Sequence, residues 1–347
     1  MPLSEQEIDA ILKDYGMRFL NGKIYLAKEP EEVYKLFKRE YYASHKDFIT
    51  RMMKNGVLDI IEKPFVQNLA HFKVVPVDNS NKDLFKFLAL VFSISPVRLS
   101  FGRNVQYFVW DEANDRPAAV VNMISPTIRM QDRDEFLGVN KDNRTEILNR
   151  GLYMNVFNVL YPYTACRREL FKSVFSKEVR EIYKKKYENR ETLILRRKID
   201  PHLLFVYTVS LLPPYEIPFF KFVGWTKGTG SFHFPSFVKA VLRKRFDPRY
   251  ENNFFAGSSY DLSVLDNLLG FKVTQHSIVK RIYVAPLVKN LKSAFNGKKP
   301  SYIKYAMQDC ILNISNFNAV AEKGFFKNAV NEMLEGSLDK IDAVFSL

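Results

Sequence analysis

The sequence predicts an α/β protein with a central sheet flanked by helices, and three observations carry that prediction. Two runs of strand character, Val105 to Trp110 and Ala118 to Ser125, are joined by a polar segment from Asp111 to Pro117, the pattern of a long-looped hairpin. A strand-like stretch from Glu146 to Tyr161 then meets Pro162, Tyr163 and Thr164, and a long helical pattern follows through about Tyr187. Further strand runs, Thr192 to Ile199, Leu203 to Leu212 and Ile282 to Leu287, alternate with helical stretches. The second hairpin run is apolar at nearly every position, so it is expected to be covered on both faces and central in its sheet. It empties into Pro126 and the charged triplet Asp132, Arg133 and Asp134, followed by residues up to Gly138. A charged loop after a central strand is a common place for a site, and Arg133 with Asp134 reads either as part of one or as an ion pair.

At 347 residues the chain exceeds the usual single-domain size, so one large domain with appendages, or two domains, is expected. The 47% hydrophobic share is ample for a core, and 30 Phe with 18 Tyr suit a packed interior or a surface that stacks on flat ligands. The 52 Lys and Arg against 38 Asp and Glu leave a net charge of +14, which favours a polyanionic partner. Cys166 and Cys310 are too few for a disulfide framework, which predicts a reducing compartment. Neither has the spaced companions of a zinc site, and no metal is expected. No stretch approaches about 18 uncharged apolar residues, and the chain opens on a polar helix rather than a signal peptide, so a cytoplasmic protein without a membrane partner is expected.

In chain order, Ser4 and Glu7 form a capping box for a short amphipathic helix carrying Ile8, Ile11 and Leu12. Pro30 opens a helical region ending near Asn55 and Gly56, whose lysines and tyrosines read first as a solvated amphipathic face. A helix from Lys82 to Phe92 precedes the hairpin. After Pro162 the helical stretch is strongly basic, with 12 Lys or Arg and 5 Asp or Glu between Arg167 and Lys198. Concentration of this order reads either as a solvated face or as an anion-binding one that includes Arg167, Arg168, Lys184, Lys185 and Lys186. Strand, tight turn and helix start also present backbone amides to an anion. The stretch from Gly224 to His233 holds three glycines, Gly224, Gly228 and Gly230, with Thr226, Ser231 and His233. It matches neither phosphate-loop nor dinucleotide spacing, so it reads as a hairpin of small residues or a ligand loop. Two more basic clusters follow, Arg243, Lys244 and Arg245, then Lys280 and Arg281. Helices are expected from Lys239 to Arg245, from Leu262 to Leu269, and after Ser301, where the local charge turns acidic. That shift sets the expected divisions at 1–83, 84–297 and 298–347, with helical regions at both ends.

The order of these landmarks resembles the DruA family, named for the Druantia anti-phage defence system. The residues that carry the resemblance are Gly102 and Arg103, the loop Arg133 to Gly138, the Pro162-Tyr163 turn, Thr208 to Ser210, Gly224 to His233, Gly257 and Ser258, His276, Arg281, and Leu287 to Asn290. The resemblance implies a GNAT-like domain with a mixed, largely antiparallel sheet flanked by helices. It implies that Ala118 to Ser125 and Leu152 to Tyr161 are central strands. It also implies that the turn carrying Tyr163, Thr164, Arg167 and Arg168 is where the pyrophosphate of an acyl-coenzyme A would sit. Here the chain departs from the family, carrying Arg167 and Arg168 where relatives tend to have a glycine pair. Their side chains crowd a pyrophosphate, while their guanidinium groups favour phosphate in another form.

The expected function is a nucleic-acid-binding component of such a defence system, engaging DNA more readily than RNA and recruiting partners such as a helicase, with self-association open. An acyltransferase that modifies nucleic acid is the enzymatic alternative, for which His233 and His276 are the candidate bases, with Arg133 and Asp134 beside them. A structural subunit of a larger complex is the third reading. For both histidines, a hydrogen-bonded role that fixes a loop competes with catalysis.

Overall fold

The computed structural model describes residues 4–29, 45–93, 102–191, 198–210, 219–227, 279–315 and 324–335, with scattered positions at 32–43 and 317–318. Helix α1 (Glu5–Lys13) starts on the expected capping box, Ser4 accepting from the Glu7 amide while Glu7 reaches back to the Ser4 amide. Asn21 and Gly22, both at positive φ, turn β1 (Met17–Leu20) into β2 (Lys23–Leu26). Helices α2 (Lys46–Lys54) and α3 (Val57–Glu62) meet at Gly56, whose φ of 73° suits glycine. Then come β3 (Leu69–Ala70), β4 (Phe72–Pro76) and α4 (Lys82–Val91).

The expected hairpin is present as β5 (Asn104–Asp111) and β6 (Arg116–Ile124). All nine residues of β6 are buried, so a strand with no polar face sits third in a seven-stranded sheet. Each fully buried aliphatic side chain there stabilises by about 1.5–3 kcal/mol, which makes β6 the strand the core is built on. Strands β7 (Gly151–Val159), β8 (Phe205–Ser210), β9 (Lys221–Lys227) and β10 (Val279–Pro286) complete the order β4-β5-β6-β7-β8-β10-β9. Every neighbouring pair is antiparallel except β7 with β8, whose parallel pairing spans Gly151 to Tyr153 against Phe205 to Tyr207. The mixed, largely antiparallel sheet flanked by helices is thus the observed fold.

Four local expectations need correction. The charged segment after β6 is a helix, α5 (Gln131–Leu137), stopped by Gly138 at φ 70°. The strand expected from Glu146 begins instead at Gly151, after α6 (Arg144–Asn149). The single basic helix is broken into a 3-10 turn (Tyr163–Cys166), α7 (Arg167–Phe171), a second 3-10 turn (Lys172–Phe175) and α8 (Lys177–Tyr187). Ser176, extended at ψ 155°, makes the last break and caps α8 through the Val179 amide. Lastly, Cys166 and Cys310 form a disulfide, where the cysteine count suggested free thiols.

That disulfide belongs to the C-terminal segment. After α9 (Leu291–Phe295), the chain returns along the core and adds β11 (Cys310–Ile311) to β3, then forms α10 (Phe325–Leu334). Leu312, Phe317, Phe326, Val330 and Met333 join the same hydrophobic cluster as Tyr42, Ile49 and the sheet residues Val109 and Val121. A smaller cluster, with Ile124, Tyr207, Ile282 and Val284, lies under α5, α6 and α9.

Candidate functional site

Helix α5 packs on β9 and β10, and the corner they make gathers several of the singled-out residues. Arg133 is fully buried there. Its guanidinium donates to Asp134 at 2.9 and 2.5 Å and to the Thr127 carbonyl at 2.8 Å, and it lies 4.9 Å over the Tyr207 ring. Asp134 also accepts from the Met130 amide at 3.2 Å, and the Tyr207 hydroxyl accepts from the Thr127 amide at 2.9 Å. Arg133 and Asp134 therefore form an ion pair that holds α5 against β8, the ion-pair arrangement that the sequence left open beside a site. Asp132 accepts from the Trp225 amide, and a side chain at Gly224 would run into its carboxylate. With φ at 149°, Gly224 is required by the close approach of the Asp132 side chain.

On the neighbouring strand, Arg281 lies 4.9 Å over the Trp225 ring, and both Trp225 and Phe222 are exposed. Lys280 is buried, and burial pushes its ammonium down to about 7. It was expected on a basic surface with Arg281, but strand alternation turns the two to opposite faces, so only Arg281 remains available to an anion. Thr226 pairs with Lys280 in the β9–β10 ladder. Gly228, Gly230, Ser231, His233, Arg243, Lys244, Arg245 and His276 lie outside the described residues.

The turn after β7 also differs from its expected use. Tyr163 is fully buried, and its hydroxyl donates to Asp111 at 2.8 Å. Asp111 accepts in addition from the His71 and Ala113 amides, both at 3.1 Å, and from Asn114 at 2.7 Å. Arg116 caps the end of α3 by donating to the carbonyls of Ile61 and Lys63, sandwiched between the rings of Phe65 at 4.1 Å and Phe317 at 4.8 Å. Burial draws its guanidinium down to about 10. Tyr163 is thus part of a buried polar knot with Asp111. Arg103 plays a comparable part, donating to the carbonyls of Leu148, Asn149 and Gly151 at the end of α6.

The cations of α7 and α8 stand outward. Arg167, Arg168, Lys184, Lys185 and Lys186 are all exposed, and Thr164 is half-buried beside them. Lys184 faces Glu188 at 3.6 Å, an exposed pair that screens little of its charge, while Lys186 donates to Asn104. Arg168 reaches to 6.0 Å over the Phe219 ring. Among the described residues there is no group of acidic, His or Cys side chains able to hold a metal, and no helix long and apolar enough to cross a membrane.

A mixed, largely antiparallel sheet flanked by helices, with an internally satisfied charged corner and an outward basic helical face, defines an α/β protein. The family model described as Druantia protein DruA matches residues 32–297, and the chain belongs to that family. The Druantia protein DruA of Escherichia coli (strain UMEA 4076-1) is 26% identical over 238 residues, covering 62% of this chain and 59% of its own length. The chain thus spans about three fifths of that relative. No solved structure matches it.

Proposed function

We propose that this chain is a nucleic-acid-binding component of a Druantia-type anti-phage defence system, engaging DNA through the outward face of α7 and α8 and recruiting other subunits. The observation that carries the reading is the exposure of Arg167, Arg168, Lys184, Lys185 and Lys186 on consecutive helices in a chain of net charge +14. Guanidinium groups at 167 and 168 bind phosphate in fork geometry, and the lysines add point charges along the backbone path. Membership of the DruA family supports the defence context.

Fluorescence anisotropy with labelled duplex DNA and duplex RNA of one sequence tests this. Reversing the five cations to glutamate is expected to weaken DNA binding at least tenfold with the melting temperature unchanged, since all five side chains are exposed. Equal affinity in parent and variant would overturn the assignment of this face, and no binding to either polymer would overturn the function.

A further inference from the structure

A second surface lies where β9 begins, β10 ends and the returning C-terminal segment crosses them. It is a half-open cleft of about 670 Å3. Its cations are Lys221, Lys289 and Lys292, all exposed, and among the described residues no carboxylate lines it. Its rings form a contiguous cluster. Tyr305 lies 4.7 Å from Phe219 and 5.0 Å from Phe175, which in turn lies 5.9 Å from Phe219. Tyr305 is 39% exposed and Phe136, on another wall, is 36% exposed, so two rings offer faces to solvent. Phe219 holds its place with φ at 68°, a left-handed backbone that a bulky residue rarely adopts.

We propose that this cleft binds single-stranded nucleic acid, bases stacking on the exposed rings of Tyr305 and Phe136 while Lys221, Lys289 and Lys292 neutralise the phosphates. The inference rests on the nucleic-acid reading and specifies its substrate. A duplex buries its base faces, so exposed rings are of use only to an unpaired strand, and aromatic rings alternating with cations are the general means of holding one. Three lysines, with no carboxylate among the described lining residues, argue against a hydrophobic peptide as the occupant, which would leave those charges without partners. Arg168 touches both surfaces, since its guanidinium lies over Phe219 from the α7 side. A strand in the cleft is thereby continuous with the outward basic face.

The test compares a labelled twenty-nucleotide thymidine strand, the matching duplex and a single-stranded RNA for binding to the full chain, to Tyr305→Ala, to Tyr305→Trp and to Lys289→Glu with Lys292→Glu. The expected result is single-strand affinity reduced about tenfold or more by Tyr305→Ala, restored by Tyr305→Trp, and reduced by the lysine pair, with duplex affinity unchanged in all three. Should Tyr305→Ala lower the melting temperature, the Trp variant and the lysine pair still decide. Duplex binding that is strong and salt-sensitive, with single-strand binding indifferent to all these variants, would overturn this proposal and leave the basic-face reading standing. Failure to bind any of the three polymers would overturn both.

Discussion

Tyr163 and Arg133, both fully buried, hold parts of the frame through their polar groups. Tyr163 contributes its hydroxyl to Asp111, and removing it leaves a buried carboxylate with one donor fewer. Tyr163→Phe is expected to cost about 2 kcal/mol, because hydrogen bonds to charged groups are worth about 1.5–3 kcal/mol. Thermal denaturation of parent and variant checks this, and an unchanged melting temperature would show that the knot carries no stability. Lys280 gives a prediction with a definite sign. Its folded-state value, about 7, lies below the ordinary 10.5, so between those values the unfolded chain binds the proton and the folded chain does not. Stability therefore rises as pH climbs from about 7, by up to about 1.4 kcal/mol per pH unit from this group. Below about 7 the cost of the buried charge is fully present. Urea titrations from pH 7 to 9 should show a shallower rise for Lys280→Met than for the parent, and parallel curves would refute the assignment.

At the scale of elements, the segment after Pro300 is a strap that finishes the core. It is held by the Lys289 amide on the Ser301 carbonyl, the Gln308 amide on Glu169, the Cys166–Cys310 disulfide and the pairing of β11 with β3. The disulfide closes a span of 144 residues, and removing such a link costs about 2–5 kcal/mol. Cys310→Ser is expected to lower the melting temperature, and reductant should lower the parent's to the same value. Truncation after Pro300 is expected to leave Phe65 and Arg116 without the Phe317 ring and to unfold the chain, and a cooperative, parent-like melt of the truncated protein would contradict that.

The same scale shows what was legible in the sequence. The hairpin of β5 and β6 was readable because an unbroken apolar run at β6, rich in Val and paired with a second run across a polar turn, fits a strand buried on both faces. Helix α5 was not, because three consecutive charges read as loop unless Arg133 can be buried. What buries it is Thr127, Asp134 and Tyr207, a set no local pattern reveals. The basic face was legible from local charge. The cleft was not, since Phe175, Lys221, Lys289 and Tyr305 meet only through the order in which β9 and β10 pair and through the path of the strap. The disulfide escaped notice for the same reason: counting two cysteines says nothing of whether the tail returns to the first.

For the whole molecule, the net charge of +14 is organised by the fold. Arg103, Arg116, Arg133, Lys38 and Lys280 are buried, the first four capping carbonyls or pairing inside, so their charge does little for a partner at the surface. Among the described residues, the outward cations include Arg167, Arg168, Lys184, Lys185 and Lys186 on α7 and α8 and Lys221, Lys289 and Lys292 on the rim of the cleft. Binding by such a surface releases counterions, and the logarithm of affinity then falls linearly with the logarithm of salt, by about 0.9 per phosphate neutralised on duplex DNA. The most direct test is therefore the salt slope of duplex DNA binding for the parent and for the protein with Arg167, Arg168, Lys184, Lys185 and Lys186 reversed to glutamate. A steep slope in the parent, reduced by about one for each of these cations that touches phosphate, is the expected result. A flat slope in the parent, or the same slope in both proteins, would contradict the assignment of the α7 and α8 face as the nucleic-acid surface.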